Sequence, residues 1–107
     1  MEQNLDNIAN ELAKEIIQYS VNLPEDDSLN LKKKLNLSAR LLPPTIRTFN
    51  QKKERIEKMK SLIVASSNLT DCREILQISQ RLKYGNVDKI TEKIESLDKY
   101  LSKNVFF

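Results

Sequence analysis

The chain has 107 residues, a net charge of +3, one Gly, one Cys and neither Trp nor His. Lacking His it has neither the usual general base nor the commonest metal ligand; one Gly cannot build a phosphate-cradling glycine-rich loop, and one Cys cannot form an internal disulfide. The length suits a single domain with a real core. A polar Met1-Glu2-Gln3-Asn4 start shows no secretory signal, and no apolar run approaches the roughly 20 residues of a membrane crossing, so a soluble, cytoplasmic protein with no membrane partner is expected.

The first predicted helix runs from about Gln3 to Ser20. Leu5, Ile8, Leu12, Ile16 and Tyr19 recur at three- and four-residue steps, Ala9, Ala13 and Ile17 widen the stripe, and Asp6, Glu11, Lys14 and Glu15 fall on the water side. Asn22-Leu23-Pro24 breaks the helix. Glu25, Asp26, Asp27 and Ser28 then offer N-cap candidates and negative charge to a second helix, expected from about Asp26 to Thr48. Its inner face holds Leu31, Leu35, Ser38, Ala39, Leu42 and Ile46. Leu29, Leu37 and Leu41 form a second apolar line, which suggests a second contact, between subunits. Leu37, Leu41 and Phe49, which the inner stripe does not need, are the candidate interface residues of a homo-oligomer. Pro43-Pro44 predicts a kink or break followed by another short turn.

The third helix, from about Gln51 to Tyr84, is the longest and contains no Gly or Pro. Ile56, Met59, Ile63, Leu69, Cys72, Leu76 and Leu82 recur at helical spacing. The whole stretch from Asn50 to Tyr84 would measure roughly 50 Å as a helix and needs other helices alongside it. From Met59 onward it reads as a packing spine, and before Met59 as a charged extension of the second helix. Cys72 lies in the stripe, which marks a small buried hydrophobe rather than a nucleophile. Gly85 supplies a left-handed residue to end the helix. A fourth helix is expected from about Val87 to Ser102, with Val87, Ile90, Ile94, Leu97 and Leu101 inward and Glu95 and Lys99 in the favourable i, i+4 order. The apolar tail Asn104-Val105-Phe106-Phe107 either frays or seats Phe106 and Phe107 in a groove. The fold class expected is all-α: an antiparallel up-and-down four-helix bundle with helices at about 3–20, 26–48, 51–84 and 87–102.

The charge is segregated. Residues 1–27 balance to −6, residues 32–60 to +8 and residues 61–107 to +1. Attraction between neighbouring elements accounts for part of this polarity. The basic segment is also the sharpest candidate for function: Lys32, Lys33, Lys34, Arg40, Arg47, Lys52, Lys53 and Arg55 could converge on one rim and neutralise the phosphates of RNA or DNA. With no aromatics interleaved, such contact would read the backbone and not the bases. Glu11/Glu15, Glu54/Glu57 and Glu92/Glu95 lie at helical spacing but are interleaved with Lys or Arg, so they read as solvated faces. No catalytic residue, metal ligand or cofactor site is expected, and the chain reads as a non-enzyme.

Two phrases carry a family resemblance. Leu42-Pro43-Pro44-Thr45-Ile46-Arg47-Thr48-Phe49 is similar to the family phrase Ile-Pro-x-Asn-Ile-Ala-Glu-Gly. Val64-Ala65-Ser66-Ser67-Asn68-Leu69-Thr70-Asp71-Cys72, then Leu76, then Leu82-Lys83-Tyr84, is similar to Ile-Ala-x-Gly-Ser-Leu-x-Glu-Leu, Leu and Leu-Gly-Tyr. The chain thus resembles the bacterial 23S rRNA intervening-sequence proteins, related to the accessory variability protein of diversity-generating retroelements, over about residues 8–103. Thr45, Arg47, Thr48 and Phe49 stand where the family has Asn, Ala, Glu and Gly, and Ser67 where it has Gly. The resemblance implies a four-helix bundle assembled into a ring, commonly a homopentamer, without enzymatic activity. In the retroelement branch it implies a basic ring that contacts nucleic acid and a reverse transcriptase. Two functions are therefore expected: a homo-oligomeric bundle with a basic nucleic-acid face, or alternatively an interaction adaptor whose exposed leucine line receives a partner helix.

Overall fold

The structure is a computed structural model that describes residues 4–25 and 29–106. Four helices follow in order, α1 (Leu5–Ser20), α2 (Leu31–Gln51), α3 (Arg55–Arg81) and α4 (Asp88–Phe106). Each packs on the next, and α1 also packs on α4. The short links make neighbours antiparallel and arrange the four as an up-and-down bundle whose α1–α4 side is the loosest. α3 is the longest at 27 residues, about 40 Å of helix, and spans nearly the whole 44 Å length of the molecule.

α1 begins where Asn4 accepts a hydrogen bond from the Asn7 amide at 3.1 Å, a side-chain N-cap. Its stripe is buried as the spacing requires, with Leu5, Ala9, Leu12, Ala13, Ile16 and Tyr19 all in the core. α2 starts at Leu31 rather than near Asp26. Asn30 takes a left-handed φ of 55°, which Asn tolerates, and its carbonyl accepts the first helical bond from Lys34 at 3.0 Å. The expected caps Asp26, Asp27 and Ser28 lie outside the described residues.

No break occurs at Pro43-Pro44, because α2 continues to Gln51. Two prolines remove two amide donors from the helix and crowd the carbonyls one turn earlier. The lost bonds are those to the Ala39 and Arg40 carbonyls, and side-chain bonds brace the helix on either side of them. Thr45 donates its hydroxyl to the Leu42 carbonyl and also meets the Asn68 Oδ1 at 3.2 Å, while Asn68 Nδ2 donates to the Ser38 carbonyl at 2.9 Å. Asn68 is itself buried, so one amide on α3 bonds α2 on both sides of the prolines. A second polar tie joins α1 to α2, with Asn36 Nδ2 donating to Ser20 Oγ at 2.8 Å.

The inner stripe of α3 keeps the expected Leu69, Cys72 and Leu76, with Met59 packed beside it, and differs in its other members. Leu62, Ala65, Leu69, Cys72, Leu76 and Ser79 are buried, an unbroken three-four alternation. Ile56 and Ile63, which the larger-residue pattern placed inside, are 67% and 69% exposed, and Leu82 is exposed as well. The true stripe uses small residues that let neighbouring helices approach. Phe49 is also corrected: it is 1% exposed inside its own subunit, with the Lys58 ammonium over its ring at 4.8 Å, and cannot serve as an oligomer contact.

α3 ends at Arg81 with Lys83, not Gly85, in the left-handed conformation. The Tyr84 amide reaches the Ser79 carbonyl and the Lys83 amide the Gln80 carbonyl, a Schellman ending. Gly85 does something else. Tyr19 donates its hydroxyl to the Gly85 carbonyl at 3.0 Å, and a Cβ on residue 85 would lie 2.9 Å from the Tyr19 ring. At φ +151° the position suits glycine, whose bare Cα admits the ring. Asn86 and Gln80 side chains accept the Asp88 and Val87 amides and so cap α4. α4 then runs to Phe106, past the expected end, with Val87, Ile94, Leu97, Leu101 and Val105 buried. The expected Glu95–Lys99 pair does not form; Lys93 of α4 instead pairs with Glu15 of α1. The seating of the Phe106 and Phe107 side chains lies outside the described residues.

Cys72 is fully buried, and burial, reinforced by the Asp71 carboxylate, pushes its thiol up to about 12. It is a protonated core side chain. At pH 8 it is expected to resist an aromatic disulfide reagent in native buffer and to react as the chain unfolds in urea; immediate native-state reaction would contradict its burial. Replacing Asn68 by Ala leaves the Ser38 carbonyl and the Thr45 hydroxyl without their cross-helix partner. That should lower the unfolding free energy by about 1–3 kcal/mol, read as a lower urea midpoint at unchanged slope.

Candidate nucleic-acid interface

α2 reads LKKKLNLSARLLPPTIRTFNQ, five cations and no carboxylate. Its inward face is taken by Leu31, Leu35, Ala39, Leu42, Ile46 and Phe49, so the cations are left to the flanks and the outer face. Lys33, Arg40 and Arg47 are seven residues apart and exposed, two helical turns from one to the next. They form a line of about 21 Å, with steps of about 10.5 Å, along the outside of the helix. None of the three makes an ion pair among the described residues, where the pairs are Lys32–Glu25 at 3.5 Å, Lys60–Glu57 at 3.8 Å and Lys93–Glu15.

The other five candidates do not join this line. Lys32 turns toward Glu25 beside α1, and its side chain is only 30% exposed. Lys34 lies on the opposite flank, in a shallow groove with Asp71 and Glu74 of α3. Lys52 is half-buried in the α2–α3 link, where its carbonyl accepts from Lys58 Nζ at 3.3 Å, and Lys53 and Arg55 are exposed nearby. These three lie at the far end of a 21-residue helix, about 30 Å from Lys32–Lys34. The expected convergence on one rim is therefore replaced by a stripe along one helix. Helical wheel position, and not sequence proximity, decides which cations share a surface.

The first turn of α2 runs against local electrostatics. Three lysines follow Asn30, no acidic residue is present there, and Asn30 makes no side-chain cap. Cations at a helix N-terminus oppose the helix dipole at about 0.3–1 kcal/mol each when exposed. A fold that places its own charges unfavourably leaves a positive potential that an external anion relieves. Among the described residues no aromatic side chain stands on this face: Phe49 and Tyr19 are buried, and Tyr84 and Tyr100 are half-buried elsewhere. Such a surface offers charge and hydrogen-bond donors to phosphates and no platform for stacked bases.

Two further surfaces stand apart from the cationic line, the first expected from the sequence and the second not. Leu37 and Leu41 are 57% and 54% exposed, as their line predicted, and they are joined across the α2–α3 seam by Val64 at 56% and on α3's outer face by Ile63. On the opposite side, α1 and α4 stand apart and leave an open groove of about 830 Å³. Ile8, Leu12, Leu97 and Tyr100 line it with Glu11, Glu15 and Glu92, and Lys93 reaches across to Glu15. Glu11 and Glu15 of α1 thus share one groove with Glu92 of α4, a proximity that appears only once α1 and α4 are paired, whereas Glu95, Glu54 and Glu57 do not line it. Among the described residues no cluster of His, Cys, Asp and Glu could hold a metal ion, and no helix is long and apolar enough to cross a membrane.

Comparison of the chain with family models, with curated proteins and with solved structures returns no match.

Proposed function

We propose that the protein is a non-enzymatic, self-associating helical bundle that holds RNA or DNA by its phosphate backbone, with the outer face of α2 as the contact. The reading rests on one observation: a helix of five cations and no acid sets Lys33, Arg40 and Arg47 in an exposed, unpaired line. A line of about 21 Å spans about six base-pair rises of 3.4 Å along a duplex axis. Lys33 sits in the first turn, where Asn30 makes no side-chain cap and the positive end of the helix dipole adds to its field. Recognition is by charge and spacing, so affinity is sequence-tolerant and falls with salt. The non-enzymatic part of the reading is supported by the lack of His and by the burial of the only thiol.

The α1–α4 groove supports a second reading, an adaptor that receives a partner helix against Ile8, Leu12, Leu97 and Tyr100. The two separate in one measurement. Arg40→Glu with Arg47→Glu should weaken binding to a short mixed-sequence duplex by at least tenfold at low salt and reduce the slope of log affinity against log salt by about 2. The same reversals at the exposed Lys99 and Lys103 of α4 should leave binding unchanged. Equal binding by both double variants would remove the α2 face from the reading, and no binding by the unaltered protein would leave the adaptor.

A further inference from the structure

Of the eight large apolar side chains exposed among the described residues, Leu37, Leu41, Ile56, Ile63 and Val64 belong to α2 and α3. Leu41, Pro44 and Val64 line one shallow groove with Thr45, Thr48 and Lys60 along the seam between these helices. Grouped exposed apolar surface of this kind marks an interaction site.

The charges beside the patch say what covers it. Lys60, Ser67 and Glu74 are exposed and stand seven residues apart on α3, a cation and an anion at equal distances of about 10.5 Å on either side of a neutral residue. Asp71 adds a second exposed carboxylate on the Glu74 side, so that this end stays net negative beside Lys34 of α2, which lies in the same groove. Such a line matches a copy of itself turned end for end. The register of α2 agrees. Asn68 bonds both Ser38 and Thr45, so it stands level with the middle of that segment, and Ser67 stands level with the gap between Leu41 and Pro44. A two-fold axis passing across the helices at that height therefore serves both helices at once. It sets Lys60 against Glu74 and Asp71 of the second copy, Leu41 against its Pro44, and Leu37 against its Thr48.

We infer that two copies of this chain pair face to face across the outer faces of α2 and α3, each helix antiparallel to its counterpart, in an isologous contact. The apolar seam supplies the buried surface and the Lys60–Glu74 line supplies the register. On its own subunit Lys60 pairs only with Glu57, at 3.8 Å in an exposed setting, which leaves it available. The inference specifies the self-association proposed above and rests on it. It also joins the two surfaces of α2. Leu41 and Thr48 face the α3 side, Lys33 and Arg40 share a groove with Glu25 and Asn36 on the α1 side, and Leu37 borders both, lining that groove as well. The cationic lines of the two copies then run antiparallel along one edge of the pair, doubling the charge presented to a nucleic-acid backbone.

The test is the mass of the purified protein by sedimentation equilibrium at low salt, with circular dichroism to verify folding. The unaltered chain should be a dimer. Leu41→Glu with Val64→Glu, both at exposed positions, should be a folded monomer. Lys60→Glu alone, and Asp71→Lys with Glu74→Lys alone, should each weaken pairing at least tenfold, since each sets like charges together across the axis. Mixed in equal amounts, those two variants restore opposite charges at both ends and should pair as tightly as the unaltered protein. A monomer at high concentration, an odd-numbered assembly, a Leu41/Val64 variant that still pairs, or a mixture that fails to recover would each overturn the inference. Arg40→Glu with Arg47→Glu should leave the mass unchanged, so loss of nucleic-acid binding and loss of pairing are read separately.

Discussion

One buried amide holds the α2–α3 half of the molecule in register. Two successive prolines in the middle of α2 remove two backbone bonds and would ordinarily end or bend the helix. Asn68 of α3 donates to the Ser38 carbonyl before them and meets the Thr45 hydroxyl after them. The bonds bring α3 to the weakest part of α2, and a slide of one helix past the other would leave buried polar groups unpaired. The apolar stripes then interdigitate on a fixed scale: Leu35, Ala39, Leu42 and Ile46 from α2, Leu62, Ala65, Leu69, Cys72 and Leu76 from α3. Burial alone tolerates sliding more readily than a bonded amide does.

The same register arranges the outside. With its inward face committed to leucines, α2 carries its five cations on the remaining arc, and the seven-residue steps from Lys33 to Arg47 bring three of them into line. The adjoining arc carries Leu37, Leu41 and Pro44. One helix thus presents two parallel surfaces, apolar toward α3 and cationic toward α1. Neither helps the monomer: the lysines oppose the helix dipole, and the leucines expose apolar area to water. Both costs are borne by a bundle whose other ties are sound, among them the Asn36–Ser20 bond, the Schellman ending at Lys83 and the Tyr19–Gly85 contact.

Much of this fold is legible in the amino-acid pattern, because four apolar stripes separated by turn residues have few ways to cover one another. The stripe of α1 and the heptad-like run from Val87 to Leu101 read correctly from side-chain type alone. α3 does not, since Ile56 and Ile63 are larger and more apolar than Ala65 and Ser79, yet the small residues face the core. The usable signal was the unbroken three-four alternation from Leu62 to Ser79, which size-weighted reading passes over. Phe49 was misplaced for a related reason: it continues the inner face of α2 only if the helix runs through both prolines, as it does, beside the buried Asn68 of α3. The basic segment was visible as composition, but which cations share a surface is a property of the helical wheel. The α1–α4 groove had no local signal, because it arises where two helices fail to close.

The central claim is that the outer arc of α2 is the surface by which the protein meets nucleic acid. It is tested most directly by following backbone amide resonances of the isotopically labelled protein while a short mixed-sequence duplex is added at low salt. The account predicts that the amides around Lys33, Arg40 and Arg47 shift together and return on adding salt, while those lining the α1–α4 groove stay in place. Shifts centred on Ile8, Leu97 and Tyr100, or none at all, would contradict it.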